Sequence, residues 1–138
     1  MPTEVREGPL GTPSAFLRAA GFIPDEATGS RVTGHADWGP DHHTPWGIVH
    51  GGVYAAAVES AASVGATLAV RERGQVAVGL TNVTHFLRPM TEGRVRIVAE
   101  AVSQGRTQQL WRVEISDDAG KLVAIGELRL QNVAPPTR

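Results

Sequence analysis

The chain contains no cysteine. That excludes disulfide staples, thiolate nucleophiles and thiolate metal ligands. Aromatic residues are only 5% of the chain, with one Tyr, three Phe and three Trp. Excess charge is lacking too: 13 basic and 14 acidic residues leave a formal net charge of -1. No basic field is implied, so neither nucleic acid nor an anionic membrane is expected as a partner. The N-terminal stretch has no apolar run of the kind a signal peptide carries, and a cytoplasmic location is expected. The longest small-apolar stretch, 49–70, is interrupted by Glu59, Ser60 and Ser63. A buried helix suits it better than a membrane span, which needs about 20 predominantly apolar residues.

What remains is a soluble globular composition: 138 residues, 41% hydrophobic and 20% charged. One domain over 1–138 is expected, with a core of its own. Residues 1–11 and 134–138 read as flexible flanks. Pro13 to Gly21 is expected as a short helix capped by Thr12, Pro24 to Gly29 as a polar turn, and Arg31 to Trp38 as a first strand. A glycine- and proline-bearing loop, 39–47, leads to His50-Gly51-Gly52. Residues 53–70 then read as a helix with apolar side chains on nearly every face, the mark of a buried helix. Four strand-like runs follow, at 75–87, 94–102, 108–116 and 121–132, separated by turn residues. They are read as a meander. One helix cannot cover both faces of such a sheet. The expected fold is therefore α+β: an antiparallel sheet of five to six strands wrapped around one central helix, with exposed edges paired to another subunit.

The chemistry concentrates at one place. Glu59 is the only acid between Asp41 and Glu72. Within a helix read as buried, its charge costs several kcal/mol, at least roughly, unless it is paired or has a task. Gly51 and Gly52 stand at the expected helix start, where unpaired N–H groups and the positive end of the dipole could hold a developing oxyanion. About 12 Å of axial rise separates Gly51 from Glu59. One helix therefore need not form a compact site alone, and an acid from a second subunit could meet the helix start of the first. Read singly, a Glu in an alanine-rich helix, a double glycine and a histidine all have ordinary structural uses.

Together these residues carry a family resemblance. HGGVYAAAVESAAS (50–63) resembles the signature of hotdog-fold acyl-CoA thioesterases of the 4-hydroxybenzoyl-CoA and phenylacetate-pathway type. In that pattern a glycine, two residues and HGG are followed by an acid nine positions after the histidine, here Gly47, His50, Gly51, Gly52 and Glu59. HFLRPMTEGRVRIVAEAVSQGRTQQLWRVEI (85–115) and GKLVAIGELRL (120–130) are also similar, so the resemblance spans roughly 30–132. It implies hydrolysis of an acyl-CoA, aryl-CoA included, in a dimer or a dimer of dimers, with no cofactor beyond the CoA of the substrate. The Gly51 amide would polarise the thioester carbonyl. Glu59 would act as nucleophile or as general base on water. His50 would orient the loop or touch the thioester, and Ser63 would hydrogen-bond the carboxylate or the water. Val78 and Gly79 would line the pantetheine channel. Ser103, Gln104, Gly105, Arg106, Thr107 and Gln108 would run along the pantetheine and phosphates. Arg88 could reach a phosphate or could equally be a surface arginine beside a turn.

Two positions depart from the family pattern. Thr44 stands where relatives often carry Asn or Gln, and can do less to fix water or the carbonyl. His85 stands where relatives often have Asn. Trp46, Tyr54 and Phe86 could line an acyl pocket or serve as core and interface residues. No metal is expected: His42 and His43 are adjacent, which is poor ligand spacing, and no acid cluster joins them. Two other functions remain open, an enoyl-thioester hydratase or dehydratase and a non-catalytic acyl-CoA-binding module.

Overall fold

The computed structural model describes residues 10–136; the parts of both expected flexible flanks at 1–9 and 137–138 lie outside them. A short helix, α1 (Ala15–Ala20), precedes two strands, β1 (Ile23–Ala27) and β2 (Arg31–Trp38). The long helix α2 (Gly51–Val70) follows, and then β3 (Val76–Phe86), β4 (Gly93–Gln104), β5 (Gln108–Ser116) and β6 (Leu122–Val133). The six strands form one antiparallel sheet in the order β1-β2-β4-β5-β6-β3. The sheet curls around α2, as expected.

Three expectations need correction. Ile23–Ala27 is a strand, not a turn. Pro24 and two acids conceal it, but β1 lies at the sheet edge, where a residue without an N–H is tolerated, and Asp25 sits at a bulge against β2. The cap of α1 is Ser14, whose Oγ accepts from the Leu17 amide, rather than Thr12; Gly21 does end that helix, at φ 90°. The last four strands are not a meander. β4, β5 and β6 are neighbours in turn, but β3 crosses to the far edge and pairs only with β6.

The core lies between the inner face of the sheet and α2. Ile97, Trp111, Val113, Ile115, Leu128 and Leu130 are buried there, opposite Ala57, Val58, Ala61, Ala62 and Ala66 of the helix. The small residues of α2 let the sheet approach closely. A methyl group placed on Gly65 would fall 2.3 Å from the Trp111 ring. By length and composition α2 could cross a membrane, yet half of that apolar window is buried within the fold.

Candidate functional site

Helix α2 is not covered all round. Its residues at i, i+4 spacing, Gly51, Ala55, Glu59, Ser63 and Thr67, share one stripe. That stripe meets β3, and the two run antiparallel. The Phe86 ring lies over Gly51, the Asn82 side-chain amide donates to the Ala55 carbonyl (3.0 Å), Glu59 faces Gly79, and the Ala77 amide donates to Thr67 Oγ1 (3.1 Å). Because β3 is the edge strand, this seam opens to solvent. Glu59 is therefore exposed in the single chain, not buried as the helix composition suggests. The sequence marks the open side only by Glu59, Ser63 and Thr67 at i, i+4 spacing, set among alanines that give no other direction.

At the start of the seam, His50 is the N-cap of α2, and its Nδ1 accepts from the Gly52 amide at 2.8 Å. With Nδ1 as the acceptor, the ring N–H falls to Nε2. His50 thus caps the helix start. Among the described residues no acceptor meets the Gly51 amide, which stays available at the positive end of the helix. The preceding loop is held by its own bonds. Thr44 Oγ1 accepts from the Trp46 amide, the Gly47 amide donates to the Thr44 carbonyl, and the Thr44 amide donates to the Ile48 carbonyl. Thr44 thus closes the turn that presents Trp46, which is 85% exposed.

In the middle of the seam, Gly79 makes room for the carboxylate. A methyl group on Gly79 would lie 2.6 Å from Glu59 Oε1. The register of β3 against β6 shifts between Gly79 and Thr81, and such bulges re-aim a strand beside a site. Gly79→Ala is expected to displace the carboxylate and lower kcat about 10- to 100-fold, while the melting temperature stays close to that of the parent. An unchanged kcat would show that the packing of Glu59 against Gly79 does not matter. Ser63 lies one turn beyond Glu59 and is half-buried.

At the far end, the turn between β4 and β5 approaches the C-terminal half of α2. Gly105 and Arg106 receive bonds from Asn132, and Arg73 Nη1 reaches the Arg106 carbonyl at 3.5 Å. Gln108 donates to Gln131, the β6 partner of Val78. So 103–108 and Val78 share one end of the seam. Arg88 follows β3 beside the Gly51 end, is exposed, and is not brought to that turn within one chain. Tyr54 packs between Trp38 and Phe86. Burial pushes its phenol above the usual range, and its hydroxyl has no partner among the described residues. His85 is exposed on β3.

The other histidines have structural partners. His35 pairs with Asp25 at 2.9 Å, His42 bonds the Ala19 carbonyl and the Gly39 amide, and His43 bonds the Thr91 carbonyl. Among the described residues no three His, Asp or Glu side chains converge. Sequence reasoning overlooked Asn82, Gln109 and Asn132. Their signal was a polar side chain in a strand; Gln109 and Asn132 stand at inward positions, two residues from Trp111 and Leu130 on the same face.

Residues 47–124 match the family model of the thioesterase superfamily. A Mycobacterium tuberculosis protein named as an esterase is 46% identical over 89 residues, which cover 63% of this chain and 64% of that protein, just under two thirds of its length. Its solved structure superposes with a TM-score of 0.85 at 37% identity, covering 90% of this chain and all of that one. A Listeria monocytogenes protein named 1,4-dihydroxy-2-naphthoyl-CoA hydrolase is 36% identical over 83 residues, 60% of this chain and 67% of that protein. A Haemophilus influenzae thioesterase structure gives a TM-score of 0.81 at 26% identity, covering 88% of this chain and 84% of that one.

Proposed function

The chain belongs to the thioesterase superfamily and has its hotdog fold, and from that premise we propose that it hydrolyses an acyl-CoA thioester to a free acid and CoA. The observation that carries this reading is the seam itself: an exposed carboxylate, Glu59, on the same helix face as Gly51, whose amide at the helix N-terminus has no partner among the described residues. The Gly51 amide donates a hydrogen bond to the carbonyl oxygen and stabilises the negative charge that grows on it. Glu59 either takes a proton from the attacking water and passes it to the departing CoA thiolate, or attacks the carbonyl itself to form an acyl anhydride that a water then hydrolyses; in both routes the C–S bond breaks to release CoA as the thiol. His50 fixes the helix start, and Ser63, one turn beyond Glu59, is assigned a hydrogen bond to the carboxylate or the water in this reading. Phe86 lies over the helix start, where the acyl group enters. Val78 and the turn 103–108 run along the pantetheine and phosphates. Arg88 would reach a phosphate only from a neighbouring subunit. No cofactor takes part, and a cytoplasmic enzyme acting on free acyl-CoA is the setting that fits this reading.

The working unit of this proposal is a dimer. Gly51 and Glu59 are two turns apart, about 12 Å along the axis, so one chain does not focus both on one carbonyl. The open edge of β3 carries Leu80 at 52% and Val83 at 48% exposure, an apolar edge of the kind that pairs with another chain. Two-fold pairing along β3 sets the two α2 helices antiparallel, with Glu59 of each facing the other's helix start. Two such dimers could associate further into a tetramer.

Release of free thiol from a panel of aryl and aliphatic CoA esters tests the activity; intact esters throughout would refute it. A Leu80→Lys and Val83→Lys double variant tests the assembly. It is expected to run as a single chain and to lose thiol release by ~100-fold or more, the scale of losing an oxyanion donor. A fully active monomer would refute the shared site.

A further inference from the structure

Two side-chain amides lie in the core, where the sheet pattern calls for apolar residues. Gln109 is 2% exposed and Asn132 6%. Gln109 Nε2 donates to the Ala66 carbonyl of α2 at 2.9 Å and to Asn132 Oδ1 at 2.8 Å. Its Oε1 accepts from Trp111 Nε1 at 2.8 Å and from Gln104 Nε2 at 3.0 Å. Asn132 Nδ2 donates to the carbonyls of Gly105 (3.4 Å) and Arg106 (3.2 Å), and its backbone N–H donates to the Thr107 carbonyl (2.8 Å).

Burying two amides costs desolvation that their hydrogen bonds only offset, and apolar residues of the same shape would hold the core about as well. What such a network supplies beyond stability is fixed geometry. Here it joins three things: the backbone of α2 at Ala66, the ends of β5 and β6, and three successive carbonyls of the β4–β5 turn. Ala66 lies about 10 Å along the helix from Glu59. The network therefore sets the turn at a constant distance from the carboxylate.

We propose that Gln109 and Asn132 are positioning residues that hold the Gly105–Thr107 turn ready for the nucleotide end of a CoA ester. This rests on the reading that the turn meets that end of the substrate. A turn already ordered loses little freedom on binding, so its anchoring should register in KM rather than in the chemical step.

The test compares a CoA ester with the N-acetylcysteamine ester of the same acyl group, which keeps the thioester but has no nucleotide. Asn132→Ala is expected to raise KM for the CoA ester about tenfold, the scale of one or two lost hydrogen bonds, with kcat within about twofold. Its kcat/KM for the short ester should equal that of the parent. A Gln109→Leu and Asn132→Leu double variant, which replaces both amides by apolar groups of similar size and so keeps the core filled, should give the same pattern if Asn132→Ala does not fold. Equal losses on both esters, or an unchanged KM for the CoA ester, would overturn the proposal. A parent enzyme that handles both esters equally well would instead overturn the reading of the turn as a nucleotide contact, and the proposal with it.

Discussion

Glu59→Gln is expected to lower kcat by roughly 10²- to 10⁴-fold, the range for a positioned general base or an attacking carboxylate, with little change in stability. The two halves of that expectation have different causes. The kinetic half follows from chemistry: an amide can neither take the proton of water nor attack a thioester. The stability half follows from burial. Glu59 is exposed on the open side of α2, and its side chain has no hydrogen bond or ion pair among the described residues. Glutamine fits the same space beside Gly79. A shift in melting temperature of more than a few degrees would mean that the carboxylate serves the fold. Retained turnover would mean that the chemistry lies elsewhere.

Gly51→Pro is expected to lower kcat by about 10²- to 10³-fold, the cost of removing one oxyanion donor. Proline deletes the amide hydrogen and leaves the rest of the helix start in place. Gly51 is the first residue of α2, a position that proline favours because its N–H has no partner within the helix. His50 before it has φ -66° and ψ 135°, which a residue preceding proline readily adopts. The added ring meets the Phe86 side chain, since a methyl group on Gly51 would fall 2.8 Å from it. Phe86 is 57% exposed and can turn aside. A folded Gly51→Pro protein with normal kcat would remove the amide from the mechanism.

Much of this was readable from residues alone, for physical reasons that differ by element. Strands β4, β5 and β6 announce themselves by alternation and by glycine-bearing turns, and Gln108–Ser116 matches the expected strand residue for residue. The start of α2 is marked by glycines and a capping histidine. The pairing of β3 with β6 is not marked, because a strand's residues do not state which neighbour it takes. The exposure of Glu59 is marked only faintly, by Ser63 and Thr67 at i, i+4 spacing from it, because alanines on the other faces leave the helix little direction. β1 hides behind Pro24, which an edge strand tolerates and a central strand does not. Gln109 and Asn132 sit in the inward register among Trp111 and Leu130; their roles become visible only when the turn at Gly105 is placed beside them.

The shared site is tested most directly by mixing the two inactive proteins. Glu59→Gln and Gly51→Pro subunits are unfolded together, refolded and assayed for thiol release. Random pairing makes half of the dimers mixed, and each mixed dimer has one site with both groups intact, so about a quarter of the parent activity should return. If mixing restores nothing while mixed dimers are shown to form, Glu59 and Gly51 do not meet across the dimer, and the account is wrong.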